Sequence, residues 1–174
     1  SAIFYGTPLL LAALGEMLTE RSGILNLGVE GMMLMGAVAA AWTSIHASGP
    51  GWSIVLQALL ASMLVGGLTA LLHAVLVITF RVEQIVSGLA ITILAGAAGL
   101  SSYLASTWDL ASGPVPHRLD LLDVGGLADA PVVGPLLFHQ NVLTYFSWVL
   151  VGALWWYLFR SRPGLHLRAV GESP

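Results

Sequence analysis

The sequence predicts an all-α, polytopic transmembrane helical bundle, and three observations lead there. Hydrophobic residues make up 57% of the 174 and charged residues only 9%, against roughly 25% charged in ordinary globular chains. Mean hydropathy is +0.87. Apolar runs of about 20 residues, the length a helix needs to cross a bilayer, recur along the chain, and arginines fall at alternate connections between them.

Five spans follow in order. The first, about 1–19, is the weakest because it contains Pro8 and Glu16, although Pro8 lies near its start, where a missing N–H matters least. The second, about 24–45, opens on an unusual polar and glycine-rich stretch. The third, about 52–80, has small residues every fourth position, at Ala58, Ser62, Gly66, Ala70 and Ala74; the fourth, about 82–105, has them at Gly88, Thr92 and Gly96. Residues four apart share a helix face, and small ones let backbones approach where lipid offers no hydrophobic drive for association. Both stripes therefore predict tight packing. The fifth span is about 142–159. His73, inside the third span, reads as an interhelical hydrogen-bonding group. Trp42, Trp52, Trp155 and Trp156 near span ends read as interface anchors.

Arg21, Arg81, Arg160, Arg162 and Arg168 share one side of this arrangement, while the other holds only Arg118 beside Asp109, Asp120, Asp123 and Asp129. The positive-inside rule makes the connections at Arg21 and Arg81 and the tail 160–174 cytoplasmic, and the loop 106–141 external. That loop is rich in Pro, Gly and Asp and reads as a solvated connector with irregular structure or a short helix.

A net charge of −3 without any lysine leaves no basic patch of the kind nucleic acid requires. The absence of cysteine excludes disulfides and Cys-based metal sites. No nucleophile elbow, H-E-x-x-H or phosphate-cradling loop occurs, so no catalytic residue, metal site or cofactor is expected. The chain starts at Ser1 and stops in the polar "RAVGESP", which reads as an internal piece of a longer protein.

The most informative stretch is "ERSGILNLGVEGMMLMGA", Glu20 to Ala37. Glycine weakens a helix interior by about 1 kcal/mol against alanine, and Gly23, Gly28, Gly31 and Gly36 crowd this one. Asn26 and Glu30, four apart, would share a face of any helix formed here. Two readings stand. In one, Asn26 and Glu30 are structural, bonded near the interface or to a neighbouring helix. In the other, the glycines break the helix and Asn26, Gly28, Glu30 and Gly31 line a polar pathway, since non-helical backbone at membrane depth is tolerated beside a cavity.

The run "TPLLLAALGEMLTERSGILNLGVEGMMLMGAVAA", with Ser22–Met33 as its core, resembles the N-terminal part of the permease subunits of bacterial ABC importers for nucleosides and simple sugars. The wider group also takes ribose and branched-chain amino acids. "RVEQIVSGLAITILAGAAG" is similar to the family's third conserved region, with Thr92 where the family has Asn. "VGPLLFHQNVLTYFSWVLVGALWWYLFRSRPGLHLRAVGESP" resembles its loop, helix and cytoplasmic segment, with Ser173 in place of the usual Asn.

The resemblance implies that Gly164, Leu165, Arg168, Ala169, Val170, Gly171 and Glu172 begin a segment that couples to an ATP-binding ABC subunit. It further implies a second permease subunit, an extracytoplasmic substrate-binding protein, ATP bound only by the partner, and a lipid setting in the bacterial inner membrane. A permease for branched-chain amino acids or another small metabolite is the alternative within this class. A self-contained secondary transporter or channel is the alternative outside it.

Overall fold

A computed structural model describes residues 2–96, 98–112, 119, 121–123 and 137–172. Its elements are α1 (Ala2–Arg21), α2 (Val29–His46), α3 (Gly51–Ala74), α4 (Gln84–Ala95), α5 (Leu100–Thr107), β1 (Leu121–Asp123), β2 (His139–Asn141), α6 (Val142–Arg160) and α7 (Arg162–Glu172). They fall into two compact units, residues 25–118 and residues 1–24 with 119–174.

In the unit of residues 25–118, α2 lies along α3 and also meets α4 and α5. The small-residue stripe of α3 is the surface that receives α2. Ala58 is buried, Ser62 stands against Gly36, Gly66 approaches the Met32 carbonyl, and Ala70 packs on the core of Met32, Ile91 and Ala95. Most of the large apolar side chains of α3, among them Leu60, Met63, Leu64 and Leu68, are exposed, as befits a helix solvated by lipid tails. His73 is buried, and its Nδ1 lies 3.0 Å from the Ser87 hydroxyl, the interhelical bond expected of it. Just beyond, α3 widens into a π turn, Val75–Thr79. The chain then reverses through Arg81 at φ 55°, a left-handed conformation uncommon outside glycine.

In the other unit, α6 packs against α1 and α7. Asn141 caps α6. Its Oδ1 accepts from the Thr144 N–H at 2.8 Å and from the Thr144 hydroxyl at 2.9 Å, and the Thr7 hydroxyl of α1 is 3.0 Å from that of Thr144. Thr144 is fully buried, so Asn141→Ala would remove a cap and leave a dry hydroxyl short of its acceptor. A destabilisation of about 2 kcal/mol is expected, read as a lower Tm of the purified protein in detergent; an unchanged Tm would contradict this account.

Several expected elements form differently. The span expected at 24–45 becomes helical only at Val29, because the chain through Gly28 is non-helical. The span expected at 82–105 is interrupted: α4 ends at Ala95, Gly96 is extended at φ −72° and ψ −169°, and helix resumes at Leu100. The Ser101 hydroxyl donates to the Gly96 carbonyl at 2.8 Å, satisfying a group that the break releases. Among the described residues, three of the five expected spans are long and apolar enough to cross a membrane: Gly51–Thr79, Gln84–Thr107 and Val142–Arg160. The other two form as helices of 20 and 18 residues, but Glu16, Glu20 and Arg21 make α1 polar toward its end, and Glu30 and His46 do the same at the two ends of α2.

Within the expected 106–141 loop, β1 and β2 pair antiparallel with Leu122 opposite Gln140. Most of the loop, for which irregular structure or a short helix is expected, lies outside the described residues, as does Ser173 in the tail.

Candidate functional site

The glycine-rich stretch folds as a break in which side chains satisfy the Leu25 and Gly28 N–H groups and the Leu27 carbonyl. Residues 24–28 are non-helical. The Asn26 Oδ1 accepts from the Gly28 N–H at 3.0 Å, a local turn of the kind Asn favours, and its Nδ2 points to the Met32 sulfur at 3.5 Å. The Leu25 N–H donates to Gln84 Oε1 at 2.7 Å, and the Leu27 carbonyl accepts from the Thr92 hydroxyl at 2.7 Å. Both partners belong to α4, so this helix serves as the break's hydrogen-bonding template. Non-helical backbone at membrane depth is tolerated only when satisfied in this way or facing a wet cavity.

Two glycines set the distance. A Cβ at Gly88 on α4 would stand 2.8 Å from the Leu27 nitrogen and 3.0 Å from the Gly28 nitrogen; one at Gly31 would stand 2.8 Å from the Ile91 carbonyl oxygen. Every one of these neighbours is backbone and cannot rotate away. The stretch and α4 therefore touch main chain to main chain.

This geometry separates the four residues singled out as pathway candidates. Asn26, Gly28 and Gly31 are buried, turned into the local turn and into α4, whereas Glu30 is exposed. Asn26 and Glu30 do not share a face, because the helix starts only at Val29. Ala37, seven residues beyond Glu30 and on the same face of α2, is exposed as well.

Gln84 and Thr92 were not legible as partners of this stretch. Gln84 reads as an interfacial polar residue, and Thr92 as one of a packing stripe. The signal for Thr92 lay in its hydroxyl, a hydrogen-bond donor between Gly88 and Gly96 on a stripe otherwise of glycine. Thr92→Val should remove the bond to Leu27 and lower stability by about 1 kcal/mol. Thr92→Asn, which keeps a donor, should retain most of it, and thermal unfolding of the two variants side by side tests the difference.

The second candidate region is α7. Ser161 begins it: its hydroxyl accepts from the Gly164 N–H at 3.1 Å, and Pro163 lies in the first turn, where proline is accepted. Exposure divides the helix into two faces. Gly164, buried, and Gly171 lie on one face seven residues apart. Any Cβ at Gly164 would overlap the Tyr157 carbonyl at the end of α6, and any Cβ at Gly171 the Arg21 carbonyl at the end of α1. Arg168, on the same side, holds its guanidinium 5.1 Å from the centre of the Phe159 ring, a cation–π distance. The opposite face presents Leu165 at 59% and Val170 at 66% exposure, with Ala169 and Glu172 exposed beside them. Of the seven coupling candidates, four thus face outward, and Gly164, Arg168 and Gly171 seat the helix.

Among the described residues no group of three or more His, Cys, Asp or Glu is placed to hold a metal.

The family described as "Branched-chain amino acid transport system / permease component" matches residues 1–174. The chain is 35% identical over 179 residues to the guanosine ABC transporter permease protein NupQ of Bacillus subtilis, covering 100% of this chain and 55% of that protein. It is 34% identical over 174 residues to the nucleoside ABC transporter permease protein NupC of Lactococcus lactis, covering 99% and 55%. It is 38% identical over 173 residues to the putative glucose ABC transporter permease protein TsgC13 of Haloferax volcanii, covering 97% and 49%. The chain spans about half the length of these curated relatives, and no solved structure matches it significantly. With a family match over its full length and helices apolar enough to cross a bilayer, this is a membrane protein that belongs to the permease-component family of the branched-chain amino acid transport system.

Proposed function

We propose that this chain forms part of the translocation pathway of an ABC importer in a bacterial inner membrane, with nucleosides as its substrate class. The observation that carries the importer reading is the outer face of α7: Leu165, Ala169 and Val170 exposed beside His166 on a polar, amphipathic helix in the tail that the arginine pattern assigns to the cytoplasm. Such a face suits a groove on an ATP-binding subunit, which alone would bind ATP. The nucleoside assignment is supported by the names of two relatives matched over nearly the whole chain. The glucose permease relative favours simple sugars as the second reading. A second permease subunit and an extracytoplasmic substrate-binding protein complete the assembly.

Within the pathway, Glu30 is the residue assigned to line it, as a carboxylate in the first turn of α2 that is exposed while its neighbours Gly31 and Met32 are buried. Intramembrane carboxylates face a bundle interior, a partner or a wet cavity.

The test uses the full-length permease co-expressed with candidate ATP-binding subunits. These 174 residues contain no cysteine, so once any cysteine elsewhere in the full-length protein is replaced, a single Glu172→Cys offers a clean cross-linking site. Gly171 does not, since its Cβ would meet the Arg21 carbonyl. A cross-link to one ATP-binding subunit, together with ATP-dependent guanosine uptake in proteoliposomes that falls about tenfold in Glu30→Gln, is the expected result. Uptake driven by an ion gradient without any ATPase would replace the reading with a secondary transporter, and wild-type uptake in Glu30→Gln would remove Glu30 from the pathway.

A further inference from the structure

We propose that Gly171 is a positioning residue of the transport cycle, and that its bare contact with the Arg21–Gly23 turn is the joint through which movement of α7 reaches the segment leading into Leu25–Gly31. This inference rests on the importer reading of α7. It concerns what lies behind the docking face, not the face itself.

The contact is backbone on both sides. A Cβ at Gly171 would overlap the Arg21 carbonyl oxygen and stand 3.0 Å from the Gly23 nitrogen. From the other side, a Cβ at Gly23 would stand 3.3 Å from the Gly171 Cα. Gly23 adopts φ 85°, which only glycine takes without strain, so the turn has this shape because of the residue that Gly171 meets.

The turn is also stiff. The Gly23 N–H donates to the Glu20 carbonyl and the Ile24 N–H to the Thr19 carbonyl, each at 3.0 Å, and the Ser22 hydroxyl donates to the Thr19 carbonyl at 2.7 Å. It thus moves with the last turn of α1 instead of yielding locally. Side chains between two moving elements can change rotamer and absorb a displacement. Two main chains in direct contact have no such slack.

Placement on α7 completes the argument. Gly164 rests on the end of α6 and Gly171, two turns later on the same face, rests on the end of α1. Leu165 and Val170 are on the opposite, exposed face. A partner pressing on the outer face therefore bears on both contacts, and the second of them lies on the turn from which the chain enters the helix break.

Ordinary packing would make Gly171 a stability residue and nothing more, so the test must separate assembly from coupling. Gly171→Ala is compared with wild type and with Gly152→Ala, whose Cβ meets nothing within 4 Å, in the full-length permease reconstituted with its ATP-binding subunit and binding protein. The joint predicts that Gly171→Ala keeps the Glu172→Cys cross-link to the ATP-binding subunit. Uptake should fall about tenfold, and ATP hydrolysis should lose its stimulation by the loaded binding protein. A nitroxide on Glu172→Cys should become more mobile in the Gly171→Ala background, a readout independent of transport.

Uptake within about twofold of wild type, unchanged nitroxide mobility, or parallel loss of cross-link and uptake would each overturn the joint. Should Gly171→Ala not insert, nitroxides on Arg21→Cys and Glu172→Cys in the otherwise unaltered protein report on the same contact: the joint expects their mutual distance to stay fixed when ATP binds, and a changed distance is the contrary result. Absence of the cross-link in the wild-type background is a different failure, since it removes the importer reading and the joint with it.

Discussion

Placing valine at Gly88 is expected to destabilise the protein by about 3 kcal/mol, at the upper end of what overpacking usually brings. The reason is what surrounds the position: the Leu27 and Gly28 nitrogens at 2.8 and 3.0 Å from the first added carbon, with the Leu27 carbonyl carbon at 3.1 Å. Larger substitutions usually find room by moving a neighbour's side chain, but here the neighbours are the main chain of the break. To admit the valine, α4 must withdraw, and withdrawal stretches the Leu25–Gln84 and Leu27–Thr92 bonds together. Gly67→Val on α3, with nothing within 4 Å of its Cβ, should change stability by less than about 0.5 kcal/mol. Thermal unfolding of the two variants in the same detergent tests the contrast, and equal Tm values would show that the contact with α4 is slack.

Val170→Asp should have the other large effect, on assembly. Val170 is 66% exposed, so the isolated chain should fold and insert as before. If α7 docks its outer face into a groove, the carboxylate would be buried there without a partner. A loss of about 3 kcal/mol, or roughly a hundredfold in affinity for the ATP-binding subunit, is expected from a central apolar contact. Co-purification from membranes at increasing dilution measures this. Retention equal to wild type would exclude Val170 from the docked surface and shift attention to Leu165 and Ala169.

Much of this architecture was legible in the sequence, and the misses have physical causes. Small residues four apart on α3 announced a packing face because helix periodicity is local, and Ser62, Gly66 and Ala70 do receive α2. The glycines around Asn26 announced trouble for a helix, but not how the trouble is resolved. That depends on Gln84 and Thr92, some sixty residues away, and no local period reports a partner at that distance. Treating Asn26 and Glu30 as one face failed for the same reason: the periodicity argument assumes the helix whose absence defines the site. Gly96 and Gly99 are as suggestive as Gly66 and Gly67, yet only the first pair interrupts a helix. On α7, resemblance marked which residues belong to the segment without saying which way each faces. Exposure separates Leu165 and Val170 from Gly164 and Gly171, so the same eleven residues rest on protein along one side and are exposed on the other.

The bonding of the break has a consequence for motion. A stretch of main chain whose donor at Leu25 and acceptor at Leu27 are both completed by α4 moves with that helix, since parting from it breaks two hydrogen bonds at once, at about 1 kcal/mol each. The break is thus no flexible gate of its own. It moves together with α4, so a displacement arriving along the chain from Gly23 must be taken up at the two ends of that helix: the left-handed reversal at Arg81 and the interruption that begins at Gly96.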